Sequence, residues 1–265
     1  MFIQIGENAI MKIQFPISAS ALSMIWLGQA GFLFSLPSGR TVLLDPYLSD
    51  SVYLNSKAQS GYAYKRMAAA PFSAQELAAD EIFCSHEHGD HLDVGSISAL
   101  MSAEKTRLYT NPISARSAAD LGVRKEQIHI LTRNSFVDFG EYCVQTLPAQ
   151  HGDMAPEAMG FLFNFGGYRV YYAGDTAFDP VLLKQTENLQ PNLALLPING
   201  EYGNMNACEA ADFARFCGAK RCIPYHFWTF PRHGGDPMSF CKELPERAPG
   251  CELILLTPGE PLLLA

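Results

Sequence analysis

The chain has 265 residues, of which 48% are hydrophobic, and 19 Lys and Arg stand against 27 Asp and Glu for a formal net charge of −8. This length supports a large buried core, and a mean hydropathy of +0.01 with 11% aromatic residues excludes a disordered polypeptide. The acidic balance argues against a general nucleic-acid or anionic-membrane binder, which needs a basic surface. Residues 13–39 carry no charge, yet Gln14, Pro16 and several Ser and Gly residues break any run of about 18 apolar residues. There is no basic segment leading into an apolar export block either, so a cytoplasmic chain without membrane contact is expected. Strands over 24–27, 32–36 and 41–44, parted by Gly- and Pro-containing turns, read as an antiparallel meander. Periodicity is then lost between 48 and 71, which suggests a partly helical flap over a site. Helices are expected over 73–79, where Glu76 follows Ser73 at capping-box spacing, and over 94–101, 113–121 and 181–187. The clearest helix is 207–217, with Asn206 as its cap, Glu209 three residues on and Gly218 closing it. Further strands are expected at 81–84, 107–109, 128–131, 142–147, 160–164, 169–172, 193–196, 221–224, 253–256 and 262–264. Gly166-Gly167 is a hairpin signal. No repeat, charge block or linker divides 1–265, so one layered α/β domain with two packed sheets is expected.

The seven cysteines are odd in number and no pair is spaced as in a zinc knuckle, so they read as reduced thiols. Chemistry concentrates in the histidines. Three of the seven, His86, His88 and His91, lie in SHEHGDH with Asp90, directly after the strand-like run 81–84. In extended backbone, residues two apart point the same way, so His86 and His88 can share one cation. Gly89 permits a turn that redirects Asp90 and His91 toward a second ion, and imidazole with carboxylate suits first-row divalent metals. His129 has no motif around it and reads as structural.

HEHGDH resembles the His-X-His-X-Asp-His signature of the metallo-β-lactamase superfamily. The matching later positions are His151 in AQHGD, Asp175 in YYAGDT and His226 in IPYHF, and LTPGEPLLL resembles the closing segment. The resemblance implies a four-layer αβ/βα sandwich, with two mixed β-sheets flanked by helices. It implies two divalent ions, Zn²⁺ or Mn²⁺: His86, His88 and His151 on the first, Asp90, His91 and His226 on the second, Asp175 bridging. A hydroxide shared by the two ions would open an ester or lactone, with Asp90 also relaying the proton. The passages WLGQAGFLF, LLDPYLSDS and PINGEYGNMNACEAADFARFCGAKRCIPYHFWTF are similar to the L-ascorbate-6-phosphate lactonase branch, which implies a phosphorylated sugar acid as substrate. A phosphodiesterase with the same centre and a non-catalytic metal-binding scaffold are the competing readings. Candidate substrate contacts are Asn199, Asn204, Tyr64, Trp228 and His233, and the loop cations Lys65, Arg66, Arg133 and Arg232 are candidates for phosphate. The expected partner is a small molecule, not nucleic acid or membrane, and a homo-oligomer is compatible with the sequence.

Overall fold

The structure is a computed structural model and describes residues 21–264; residues 13–20 of the uncharged stretch lie outside the described residues. Two seven-stranded sheets face one another. The first is ordered β14-β1-β2-β3-β4-β5-β6, from β1 (Ser23–Gly28), β2 (Gly31–Ser35), β3 (Thr41–Leu44), β4 (Glu81–Cys84), β5 (Arg107–Thr110), β6 (Ile128–Ile130) and β14 (Pro261–Leu263). The second is ordered β13-β12-β11-β10-β9-β8-β7, from β7 (Phe136–Asp138), β8 (Cys143–Pro148), β9 (Met159–Phe165), β10 (Tyr168–Tyr172), β11 (Leu193–Pro197), β12 (Arg221–Tyr225) and β13 (Glu252–Leu253). Each sheet is mixed. β14-β1-β2-β3 and β7-β8-β9-β10 pair antiparallel, while β3-β4-β5-β6 and β10-β11-β12-β13 pair parallel.

Strand alternation builds the layers. Met24, Trp26, Phe32 and Phe34 join the core between the sheets, while Ile25, Leu27 and Leu33 join a second core on the outer face. Helices α2 (Ile97–Leu100) and α3 (Pro112–Asp120) close that outer core with Ile97, Leu100 and Ala118. On the other side, α5 (Ala207–Cys217) buries Ala210, Ala211, Phe213 and Ala214, and the Phe213 ring stacks 5.7 Å from that of Tyr171. α4 (Pro180–Thr186) adds Leu182, and α6 (Pro237–Arg247) packs along α5 through Phe240 and Leu244. The result is helix, sheet, sheet and helix, as the resemblance implies.

Several elements differ from expectation. Residues 73–79 form only a 3-10 turn, Ala74–Glu76, because the capping box is followed at once by extended backbone at Leu77. The helix expected over 94–101 shrinks to α2, since buried Asp93 accepts from Gly95 N and Ser96 Oγ and holds the preceding residues in turns. The flap contains α1 (Ser51–Ser60), an amphiphilically weak helix with Ser51 its one buried residue. Strand β7 and helix α6 were not expected. β7 is a three-residue edge strand with Phe136 exposed, and α6 contains Pro245.

Because β1, β3, β4, β8, β10, β11 and β12 run the same way within their sheets, their C-terminal ends share one rim. A hydrogen bond from Tyr172 OH to Asp45 Oδ2, 2.5 Å long, ties the second sheet to the first there.

Candidate metal centre

The turn after β4 places His86 and His88 side by side, with Nε2 of His86 3.0 Å from Nδ1 of His88. His151, beyond β8, completes a triad whose ligand atoms lie within 4.8 Å of one another. The turn tightens as the backbone N–H groups of His91 and Leu92 donate to His88 O, and it brings the His91 ring 4.0 Å from that of His86. Asp175, beyond β10, sits between the groups: Oδ1 is 3.2 Å from His91 Nε2, and Oδ2 is 3.3 Å from His226 Nε2 and 3.7 Å from His151 Nε2. Asp90 Oδ2 is 3.4 Å from His226 Nε2 and 4.0 Å from His91 Nε2. All seven residues named by the motif therefore converge. Gln29, Asp45 and His226 around them hold positive φ of 50°, 37° and 64°. Such backbone costs about 1–3 kcal/mol per residue and persists where the surroundings dictate it.

Hydrogen bonding shows what this cluster fits. Asp45, fully buried at the end of β3, accepts from Ser85 N at 2.7 Å, Ser85 Oγ at 2.5 Å and His91 Nδ1 at 2.7 Å, besides Tyr172. Having given its hydrogen to Asp45, Ser85 Oγ can only accept from His86 Nδ1, 2.9 Å away, which leaves a lone pair on His86 Nε2. His88 Nε2 lies 3.1 Å from the carbonyl of Met154 and must donate to it, which leaves a lone pair on His88 Nδ1. With both rings in these tautomers the two lone pairs face each other at 3.0 Å, an arrangement that a cation between them relieves. His151 Nε2, His91 Nε2 and Asp175 Oδ1 are likewise buried without a hydrogen-bond partner. A donor set of nitrogens and carboxylates in this state fits divalent metal.

The electrostatics agree. Burial pushes His86 well below the ordinary imidazole value and His151 down to about 4, so both are neutral bases. Burial acts the same way on His91 and His226, but Asp175 and its neighbouring carboxylates outweigh it; His91 rises well above its usual value and His226 to about 9. Burial would raise Asp90 and Asp175, yet His91 and His226 hold both well below the carboxylate range. Without a cation the carboxylates thus keep protons on His91 and His226. A divalent cation competes for those same lone pairs, so its binding releases protons.

A cavity of about 160 Å³ opens onto the cluster, walled by Val52, Met154, Phe230, Tyr202 and the two expected residues Tyr64 and His233. Tyr64 OH and Tyr202 OH are 2.8 Å apart, joining the flap to the turn after β11. The other three expected substrate contacts are not among the residues lining this cavity. Trp228 is 54% exposed and lines a neighbouring apolar cavity with Trp26, Phe227 and Leu256, because left-handed backbone at φ 55° turns it outward. Asn199 is buried and spends its amide on Glu201 O at 3.2 Å, stabilising its own turn, and Asn204 is buried beside it. Asn206 caps α5 as expected. Gln29, Asp45 and Tyr202 went unnoticed in the sequence. The one available signal was that Gln29 and Asp45, like the metal-motif residues, follow strand-like runs.

A family model described as beta-lactamase superfamily domain matches residues 40–227. A UPF0173 metal-dependent hydrolase of Aeropyrum pernix is 31% identical, over 89% of this chain and 95% of its own length. Its counterpart in Myxococcus xanthus is 27% identical, over 96% of this chain and 88% of its own. Among solved structures, isothiocyanate hydrolase from Delia radicum gut bacteria shares the fold with a TM-score of 0.76 at 18% identity, covering 92% of this chain and 99% of that one. With the family model spanning most of the chain and both sheets arranged as described, the chain belongs to the metallo-β-lactamase superfamily, among its metal-dependent hydrolases.

Proposed function

We propose that the chain, acting as one domain, hydrolyses a small ester or lactone at a centre that holds two divalent cations, Zn²⁺ or Mn²⁺. The observation that carries this reading is the pair of facing lone pairs on His86 and His88, with a second group of donors on the far side of Asp175. In this reading His86, His88 and His151 would hold one ion and Asp90, His91 and His226 the other, with Asp175 between the two groups. Bound cations supply a water acidic enough to attack at neutral pH and polarise the carbonyl under attack. The protein's own residues do the rest. Asp90, whose carboxylate faces the cavity, is placed to take up the proton of the attacking water. Val52, Met154 and Phe230 exclude bulk water, while the Tyr64–Tyr202 pair offers hydroxyls to a substrate oxygen.

The finer expectation, a phosphorylated sugar-acid lactone, needs a cation for the phosphate. Three of the four candidates are engaged elsewhere. Arg133 donates to the carbonyls of Ala158, Ala149 and Pro156; Arg66 lies over the Tyr47 ring and donates to Tyr47 O; Lys65 pairs with Asp50. Arg232 remains, its Nε 3.3 Å from Tyr202 OH beside the cavity wall, so an anionic substituent would be met there. The test is a panel of lactones, carboxylic esters and phosphodiesters with protein loaded with Zn²⁺ or Mn²⁺. Turnover of lactones or esters, lost in His88→Ala with the circular dichroism unchanged, is the expected result. Turnover of phosphodiesters alone, or none at all, overturns the reading.

A further inference from the structure

Two side chains outside the seven motif residues reach into the second group of donors. Gln29, at the end of β1 and fully buried, places one terminal atom of its carboxamide 2.7 Å from Asp90 Oδ2, 3.0 Å from His226 Nε2 and 3.4 Å from His233 Nδ1. His226 Nε2 is itself 3.4 Å from Asp90 Oδ2, and the His226 and His233 rings stack 4.9 Å apart. Gln29, Asp90 and the loop that carries His226 and His233 thus bring four donor positions together through contacts of 2.7–3.4 Å. Ligands bonded at about 2.0–2.2 Å lie roughly 3.0–3.4 Å from one another around a tetrahedral or octahedral ion. A half-turn of the amide exchanges nitrogen and oxygen at the position facing the cluster, and the two are told apart only by their partners. As nitrogen it has two hydrogens for three neighbours, while Oε1 is left buried without a partner. As oxygen it joins a carboxylate and two imidazoles as a fourth lone-pair donor.

We propose that Gln29, through its side-chain carbonyl oxygen, and His233, through Nδ1, complete the second cation site together with Asp90 and His226. His91 Nε2, 3.2 Å from Asp175 Oδ1 and 4.0 Å from Asp90 Oδ2, stands where this group meets the first. Both new ligands are held by the backbone. Gln29 O accepts from His226 N and from Trp26 Nε1, each at 3.1 Å, so the Gln29 and His226 turns move as one unit. His233 N donates to Phe230 O at 3.1 Å, and its ring is boxed by Phe230 and Tyr202. The next residue must be glycine, since a Cβ on Gly234 would stand 2.5 Å from Asn199 O.

This assignment rests on the two-cation reading, and one experiment separates the two. Metal-free protein is titrated with Mn²⁺, with free ion followed by electron paramagnetic resonance, for the wild type and for Gln29→Ala, Gln29→Glu and His233→Ala. The wild type takes up two equivalents. Gln29→Ala and His233→Ala keep the first and bind the second at least tenfold more weakly, the range in which ligand-shell losses fall. Gln29→Glu, which retains an oxygen and has no N–H, keeps the second equivalent. Wild-type affinity for both equivalents in either alanine variant removes that residue from the site. A Glu variant as weak as the alanine one makes Gln29 a hydrogen-bond donor to Asp90 and overturns its role as ligand. Fewer than two equivalents in the wild type defeats the two-cation reading itself. Retention of the first equivalent in each variant reports that the fold is intact.

Discussion

Asp45 shows how much of the centre depends on a residue that binds no cation. Its two oxygens collect hydrogen bonds from Ser85, His91 and Tyr172, and through Ser85 it sets which nitrogen of His86 carries the proton. Asp45→Asn puts an N–H group where only acceptors are wanted. It should lower metal affinity by roughly 10–100-fold with the fold retained, read by equilibrium dialysis and circular dichroism. An affinity within twofold of wild type would show that the orientation of His86 and His91 comes from packing alone. Tyr64 acts on the other side of the cavity, where its hydroxyl meets that of Tyr202. Tyr64→Phe should cut kcat/KM by about three- to tenfold, the worth of one hydrogen bond to a neutral group, with metal content unchanged. Unaltered kcat/KM would move substrate recognition elsewhere.

Among the secondary-structure elements, helix caps and metal loops are coupled. Asn111 caps α3 by accepting from Ile113 N at 2.9 Å and Ser114 N at 2.8 Å, and its amide donates to Ser85 O at 3.3 Å. Buried Asp93 likewise accepts from Leu48 N, Ser49 N, Ser49 Oγ and Ser51 Oγ, tying the start of α1 to the turn that carries His91. Asn111→Ala should therefore cost about 1–2 kcal/mol in urea unfolding, the upper part of the range for a lost cap, because a link to the metal turn goes with it. A loss no greater than a few tenths of a kcal/mol would show that water replaces the cap freely. The same elements explain what the pattern of residues concealed. α6 begins with a readable signal, Asp236 before Pro237, but Pro245 within it and the small share of buried residues, chiefly Phe240 and Leu244, blur its periodicity. β7 is too short and too exposed for any alternation to appear.

For the whole molecule, the centre links metal, protons and stability. In metal-free protein His226 is raised to about 9 from an ordinary 6.5, so its contribution to stability is complete below pH 6.5 and is lost as pH rises through 9. His91 is shifted in the same direction and adds to this loss on the alkaline side. His151, depressed to about 4, works in the opposite sense only below 6.5 and does not offset it. With a chelator present, Tm should fall as pH is raised from 6.5 to 9, whereas in loaded protein a cation occupies those lone pairs and the fall disappears. Parallel Tm profiles with and without chelator would contradict this. Among the described residues no helix is long and apolar enough to cross a membrane.

The amino-acid sequence by itself determined the family, the mixed two-sheet layering and the positions that converge at the centre. Those features are local: strand alternation, turns of Gly and Pro, and a motif whose spacing places several ligands on one loop. Tertiary structure alone decided the rest, since it depends on which strand ends meet across the two sheets. Only there does Asp45 meet His91, Gln29 approach Asp90 and Tyr202 reach Tyr64, at separations of 46, 61 and 138 residues. Trp228 and Asn199 stand outside the lining of the cavity for the same reason: nearness in sequence to His226 or to a strand end does not set side-chain direction. A left-handed residue turned one outward, and a buried turn absorbed the other.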